Sequence, residues 1–389
     1  MEKTFAILGA GMQGTAAAYD LAQFAGGAPV VLADASLARA QQAADRVNTL
    51  VGRAACRASA VDALDAAGLG AFLVPVDVLL SCVPYWMHPR IAEAAIASGT
   101  NMCDLGGNTE VTLETLAKDA RAREAGVTLI PDTGLAPGLV NSIGRYLIDR
   151  FDEAESVRLF CGVLPQHPVP PFNYKLTFNI EGLVTEYEYQ AVRLRNGEIE
   201  RVDTLAELEE IELDGLGKME AFTTSGGTST APYTFQGRVR DYEYKTIRFP
   251  GHCERMRIFK DFGFWDEQPV DVKGCSVAPR DVFYRVFGER LAAIKDVDQC
   301  IVRGIGIGTV NGERRQIQVD IHDRQCESTG FSSMERTTGF SIAIHAIALA
   351  RGMVPPGAVR YENALDGGSV LEELRNRGVE ITERSSAIS

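Results

Sequence analysis

The residues able to do chemistry begin near the N-terminus. Gly9, Gly11 and Gly14 stand in the run T-F-A-I-L-G-A-G-M-Q-G-T-A-A-A-Y-D-L-A, where an apolar strand pattern passes directly into an alanine-rich helical one. At this G-x-G-x-x-G spacing the first glycine permits a tight turn. The second lets the main chain approach a pyrophosphate, and the third lets the helix pack close to the strand. The first helical turn, with Met12 and Gln13, then offers unpaired N–H groups to phosphate. Asp34 closes a second apolar run, P-V-V-L-A-D, 20 residues after Gly14. That is the spacing at which a carboxylate meets the ribose hydroxyls of adenosine. An acid there repels a 2′-phosphate, so the expected cofactor is NAD rather than NADP.

Further candidates follow at the ends of apolar runs. The segment V-D-V-L-L-S-C-V-P reads as a strand buried on both faces, and its end, Ser81, Cys82, Val83 and Pro84, falls where open α/β sheets bind ligands. Asp62, after a short third strand, either faces the adenine edge or starts a helix. Asp104 leaves the strand in T-N-M-C-D-L-G-G and is read either as the group handling the substrate or nicotinamide-side proton, or as a cap on the glycine turn. Asp132 is read as holding the turn before Gly134. For a substrate carboxylate the candidates are Arg248, Lys245 and His252 in K-T-I-R-F-P-G-H, with Tyr174 and Lys175 in N-Y-K. Strand alternation prevents Lys245 and Arg248 from sharing a face. Arg248 is favoured because its planar fork matches a carboxylate; a solvated basic edge is the alternative reading.

Six strand candidates with intervening helices fill the first 131 residues, which predicts a doubly wound dinucleotide-binding domain over 1–133. Strand-like segments then dominate at 156–163, 174–180, 184–194, 245–249, 300–309 and 315–322. Helices are expected near 204–211, 254–262 and 279–291. This reads as an inserted α+β substrate and oligomerisation domain over 134–330, built on a mixed sheet. The segment T-T-G-F-S-I-A-I-H-A-I-A-L-A-R-G is apolar nearly all round, so it needs burial on both sides. The helices of 331–389 are therefore expected to return to the first domain, with His345 as a core residue.

A net charge of −13 argues against a nucleic-acid backbone as partner. No stretch has the order of a signal peptide, and no run of 18 apolar residues spans a bilayer, so a cytoplasmic location without membrane contact is expected. The 8 cysteines form no C-x-x-C pair and the 5 histidines no tight cluster, so no metal site is expected.

Several longer motifs carry a family likeness: A-A-I-A-S-G-T-N-M-C-D-L-G-G, P-D-T-G-L-A-P-G-L-V-N, C-G-V-L-P, F-N-Y-K-L-T-F-N-I-E-G-L-V-T-E-Y, E-A-F-T-T-S-G-G, K-T-I-R-F-P-G-H and M-E-R-T-T-G-F. With the glycine turn, they make the chain resemble the saccharopine reductase and lysine 6-dehydrogenase family, most of all its lysine 6-dehydrogenase branch. The resemblance implies a bilobal enzyme acting on an amino acid with a nicotinamide cofactor, assembled as a homodimer or homotetramer through the second-domain sheet. It implies oxidation of the side-chain amine of L-lysine by NAD to 2-aminoadipate 6-semialdehyde, which cyclises to 1-piperideine-6-carboxylate, with release of ammonia. One departure is Val163, where the family often has C-G-G-L-P. Two alternatives stand beside this reading: a reductase of a C=N adduct, of the saccharopine or carboxynorspermidine type, and an inactive NAD-binding regulatory or assembly protein.

Overall fold

The computed structural model describes residues 3–388, so Met1, Glu2 and Ser389, at the ends of the expected domains, lie outside the described residues. All six strands expected at the start form, as β1 (Phe5–Leu8), β2 (Val30–Asp34), β3 (Cys56–Ala60), β4 (Val78–Ser81), β5 (Asn101–Asp104) and β6 (Thr128–Ile130). They pair in parallel, and the two-residue β17 (Gly357–Ala358) extends the sheet to the order β17-β6-β5-β4-β1-β2-β3. The apolar runs are continuous because both faces are covered. Ile7, Val30 and Leu32 face the helices Met12–Phe24 and Leu37–Val51, while Ala6, Leu8 and Leu79 face the helix His88–Ser98. The helix expected over 111–125 is two, Thr109–Leu116 and Asp119–Ala125.

The second sheet has nine strands. Its central path runs through β10 (Glu209–Leu213), β11 (Gly217–Phe222), β12 (Val239–Arg248), β7 (Glu153–Pro165), β15 (Asp298–Val310), β16 (Glu313–Arg324) and β18 (Ile381–Ala387). β8 (Ala191–Arg195) attaches to β12 and carries β9 (Glu198–Val202) on its other edge, and a separate hairpin pairs β13 (Val270–Val272) with β14 (Cys275–Val277). The sheet is mixed: β12 runs parallel to β7, and β15 runs antiparallel to it. Glycines on β15 admit the covering helix Leu139–Asp149; a Cβ on Gly304 would lie 2.4 Å from Ile143.

Three sequence expectations need correction here. Residues 174–180 form no strand. Much of 184–194 is the helix Ile180–Glu188, started by Asn179, whose Oδ1 accepts the N–H of Gly182 at 2.6 Å. Leu183, Val184 and Tyr187 are buried together on one helical face, a spacing of one and three residues that alternation obscures. The helix expected over 204–211 is absent, because Leu205 and Glu207 have φ of 55° and 47° and the E-E-I-E-L run pairs as β10. The third correction concerns the tail. The helix Ser333–Ala350 does pack on the first domain, but the chain ends as β18, an edge strand of the second sheet beside β16.

Candidate functional site

The glycine loop is shaped by what crosses it. Gly9 has φ +105°, and a Cβ there would sit 2.6 Å from the carbonyl oxygen of Cys82 at the end of β4. A Cβ on Gly14 would sit 2.0 Å from Gly9 O, whereas one on Gly11 would meet nothing within 4 Å. The loop is therefore tight against the sheet and open outward, where Gly11 and Met12 are exposed. No side chain caps the following helix, and Gln13 Oε1 is buried without a partner. Asp34 accepts the N–H of Ala10 at 3.1 Å and that of Ser36 at 2.9 Å, and it lies 3.6 Å from the Arg39 guanidinium. These residues fit a dinucleotide: free amides for the pyrophosphate, space where Gly11 lacks a side chain, and a carboxylate at the ribose end. Asp62 is exposed, and its Oδ1 accepts the N–H of Leu64, while Asp65 caps the following helix.

Beyond the ends of β4 and β5 the polar groups are buried. Ser81 Oγ is 3.1 Å from His88 Nδ1, and His88 Nε2 lies 3.8 Å from Asp104 Oδ1 with no hydrogen bond of its own. Asp104 Oδ1 accepts the N–H of Gly106 at 2.8 Å, so it does cap the glycine turn; its Oδ2 accepts none among the described residues. Burial raises the Asp104 carboxyl to about 7 and lowers His88 to about 3, leaving a neutral imidazole beside it. Burial likewise pushes the Cys82 thiol up to about 12. Val83 and Pro84 carry the chain from this cluster to Tyr85.

A cavity of about 620 Å³ opens between the two domains, walled by Asn108 and Glu110 after β5 and by Glu188, Arg193, Arg201 and Ser229 of the second domain. Arg193 is committed to Glu200 at 2.7 Å and to Glu207 at 2.5 Å. Arg201 is exposed and makes no ion pair among the described residues.

The expected substrate residues gather elsewhere. Tyr174, Arg248 and His252 meet in an aromatic cluster with Tyr187, and Lys175, half-buried nearby, does not line the cavity. Arg248 is 4% exposed, and each guanidinium nitrogen is engaged: Nε with Tyr187 Oη at 3.2 Å, Nη1 with Ile247 O at 3.0 Å and Nη2 with Glu186 at 3.2 Å. A direct grip on substrate by Arg248 is thus not supported, because Tyr187, the Ile247 carbonyl and Glu186 each take one of its nitrogens. His252 Nε2 is 3.1 Å from Tyr187 Oη, and burial, aided by Arg248, keeps the ring neutral. Lys245 points away, to Glu209 at 2.7 Å, as alternation requires.

Two family profiles cover nearly the whole chain: the saccharopine dehydrogenase NADP binding domain matches residues 5–130 and the saccharopine dehydrogenase C-terminal domain residues 134–379. The chain belongs to the saccharopine dehydrogenase family. Among curated relatives, mitochondrial alpha-aminoadipic semialdehyde synthase of Bos taurus is 23% identical over 82% of this chain and 42% of its own length. Saccharopine dehydrogenase [NADP(+), L-glutamate-forming] of Schizosaccharomyces pombe is 24% identical over 54% of this chain and 48% of its own. The chain thus spans less than half the length of these relatives. The apo saccharopine dehydrogenase (L-Glu forming) of Saccharomyces cerevisiae superposes with a TM-score of 0.80 at 19% identity, covering 99% of this chain and 100% of that one, and so shares the fold.

Sequence reasoning missed His88 and Arg201. The first had a signal, a histidine one turn beyond the V-P that follows β4; the second had none, because an arginine on a short edge strand looks like any solvated charge.

Proposed function

We propose that the protein oxidises the side-chain amine of L-lysine with NAD, giving 2-aminoadipate 6-semialdehyde and ammonia. The observation carrying the choice of substrate is that Arg201 is the cavity-wall cation without an ion pair among the described residues, while Glu188 is paired with Arg280 and Glu243 with Arg158 and Arg195. Lysine brings one carboxylate for Arg201 and an ammonium group for Glu110, the wall carboxylate that makes no ion pair among the described residues. Saccharopine brings three carboxylates, which would leave two without an open cation.

In this reading Asp104 accepts the ammonium proton; a carboxyl raised to about 7 is matched to that task near neutrality. Bound NAD supplies the hydride acceptor. The glycine loop and Asp34 fix the adenosine end, and the Asp34 charge favours NAD over NADP. The turn after β5, held by Asp104, shapes the wall at which the amine must sit. A homo-oligomer formed through the second sheet is part of the same proposal.

The relatives named saccharopine dehydrogenase [NADP(+), L-glutamate-forming] favour a second reading, NADP-linked turnover of saccharopine. Both are tested by following NAD(P)H formation with lysine, ornithine, diamines without a carboxylate and saccharopine, each with NAD and NADP. Lysine with NAD, with ammonia released in equal amount, is the expected active pair. Turnover of saccharopine alone, or of no amine at all, overturns the proposal.

A further inference from the structure

Three buried polar side chains meet where β4 and β5 end, and the function proposed above uses only one of them. Ser81 and Asp104 are register partners at the ends of these parallel strands. His88 opens the helix His88–Ser98, and its ring reaches over both. Nδ1 lies 3.1 Å from Ser81 Oγ, and Nε2 lies 3.8 Å from Asp104 Oδ1. None of the three residues is more than 2% exposed. The crevice that His88 and Asp104 line with Tyr85 and Thr115 is too narrow for a water molecule, so no water bridges the ring and the carboxyl group.

A neutral imidazole carries one N–H, and the neighbours of its two nitrogens decide which of them holds it. Ser81 Oγ makes no other hydrogen bond among the described residues, so its hydroxyl is free to donate to Nδ1. That leaves the ring proton on Nε2, facing the Asp104 carboxyl group; the opposite tautomer would turn a lone pair on a negative charge. The Gly106 carbonyl beside the ring also favours a ring proton. Donors then converge on one carboxylate oxygen. Asp104 Oδ1 accepts the N–H of Gly106 at 2.8 Å and that of Asp132 at 3.3 Å, and the ring faces the same atom. Asp104 Oδ2 accepts nothing among the described residues. The other groups around the ring and the carboxyl are the thiols of Cys82 and Cys103, both raised by burial, the Tyr85 hydroxyl, Thr112 and Thr115 of the helix Thr109–Leu116, and the Asp132 carboxyl after β6. None of these is a cation, and of them Asp132 alone is placed near neutrality, at about 7.

We propose that His88, its tautomer set by Ser81, is a positioning residue that holds Asp104 by Oδ1 and leaves Oδ2 as the oxygen that takes the proton of the substrate ammonium. The catalytic half of this rests on the lysine reading; the tautomer and its hold on Asp104 do not. In the proton transfer one N–H bond of the ammonium breaks, its electron pair stays on nitrogen, and an O–H bond forms at Oδ2. The separation of 3.8 Å is longer than a hydrogen bond, so the ring N–H acts on Asp104 as a fixed dipole that favours the ionised form. That opposes the burial which raises the carboxyl to about 7, and a carboxyl raised further would be protonated at neutrality and unable to accept. Burial also lowers His88 to about 3, so the ring does not compete with Asp104 for the proton.

Nitrogen-15 spectra of the full chain labelled at histidine test the hold without any turnover, the His88 signals being those missing from His88→Gln. The expected ring is neutral, with its proton on Nε2, from about pH 5.5 to about 8.5. Its Nε2 resonance should move in a step near pH 7 that is lost in Asp104→Asn and kept in Asp132→Asn. A proton on Nδ1, a ring that becomes charged within that interval, or a step indifferent to Asp104→Asn overturns the proposal. With lysine, His88→Leu should lower kcat about 10-fold, change KM by no more than about twofold, and move the acidic limb of kcat/KM up by about half a pH unit or more. His88→Gln, whose side-chain amide presents an N–H where ring Nε2 stood, should return the limb toward its native position. A lower melting temperature with the limb unmoved, or identical profiles for the Leu and Gln variants, marks His88 as merely structural and refutes the catalytic half. If His88→Leu does not fold, the native spectra and Asp104→Asn still decide the hold. Absence of turnover with every amine, alongside the expected spectra, removes the lysine reading and leaves the hold on Asp104 intact.

Discussion

Replacing Asp34 with Ser separates the job the structure shows for this carboxylate from the one proposed for it. Asp34 accepts the N–H groups of Ala10 and Ser36, which sets the glycine loop; in the proposed reading it also meets the ribose diol. Losing it removes charge-assisted hydrogen bonds to the diol, each worth about 1.5–3 kcal/mol, and leaves the Ala10 amide less well satisfied. A net loss of about 3 kcal/mol corresponds to roughly 10²-fold weaker NAD binding. Arg39, 3.6 Å from Asp34 and 63% exposed, is then free to meet a 2′-phosphate. An exposed pair of that kind contributes about 0.2–1 kcal/mol, so NADP should improve only severalfold, and less at high salt. The ratio of Kd values for NAD and NADP, measured by calorimetry at low and high salt, should therefore shift by about 10² or more. Arg39→Ala in the same background should cancel the NADP gain while leaving the NAD loss. A native preference for NADP refutes the reasoning. So does a lower melting temperature with an unchanged ratio, which would make Asp34 a clamp for the loop alone.

Three other outcomes are expected. Arg201→Ala should raise KM for lysine by roughly 10-fold to 10²-fold, given an anchor worth about 1.5–3 kcal/mol, and should leave kcat for a diamine without a carboxylate unchanged; steady-state kinetics with both substrates checks it. Gly339→Ala should lower the melting temperature and weaken NAD binding, because the new Cβ lies 2.7 Å from the Ala16 Cβ and 2.9 Å from Ala17 N on the helix that carries the glycine loop; overpacking of this kind costs about 1–3 kcal/mol. Stability should fall as pH rises from about 4 to about 7. Asp104 and Asp132, with Asp20, at about 7 when folded against 3.8 ordinarily, make the folded chain bind more protons over that interval. His88, at about 3 against 6.5, works the other way up to about 6.5 and offsets one of these carboxyls there. Thermal melts across the interval, flattened in Asp132→Asn, read it out.

The first domain was legible because its signals are local. Glycine spacing, continuous apolar runs and an acid closing β2 each follow from one stretch of chain. β17 was not legible: two residues, Gly357 and Ala358, carry no pattern, and they become a strand only because β6 offers an unpaired edge. The second domain was read less well where helix and strand patterns coincide. Once 184–194 is taken for strand, Glu186 and Tyr187 are placed on opposite faces. In the helix they converge on Arg248, and that convergence takes the guanidinium out of play as an open anchor. Alternation within β12 correctly separated Lys245 from Arg248, but it says nothing of what covers either face.

The tail explains why the cleft opens where it does. Asp298, at the start of β15 in the second sheet, accepts the N–H groups of Ser333 at 2.7 Å and Met334 at 3.0 Å, and so starts the helix Ser333–Ala350. That helix lies against Met12–Phe24, the helix that follows the glycine loop. Arg377, from the segment leading to β18, pairs with Asp20 on that same helix at 2.7 Å, both side chains almost wholly buried. Buried pairs of this kind add little net stability but cost about 3–5 kcal/mol to break singly, so they fix register more than they add strength. The rear of the two domains is therefore tied by directional, dry contacts. The front is different: the domains face each other across a cavity of about 620 Å³. Relative motion of the domains meets least resistance at that front.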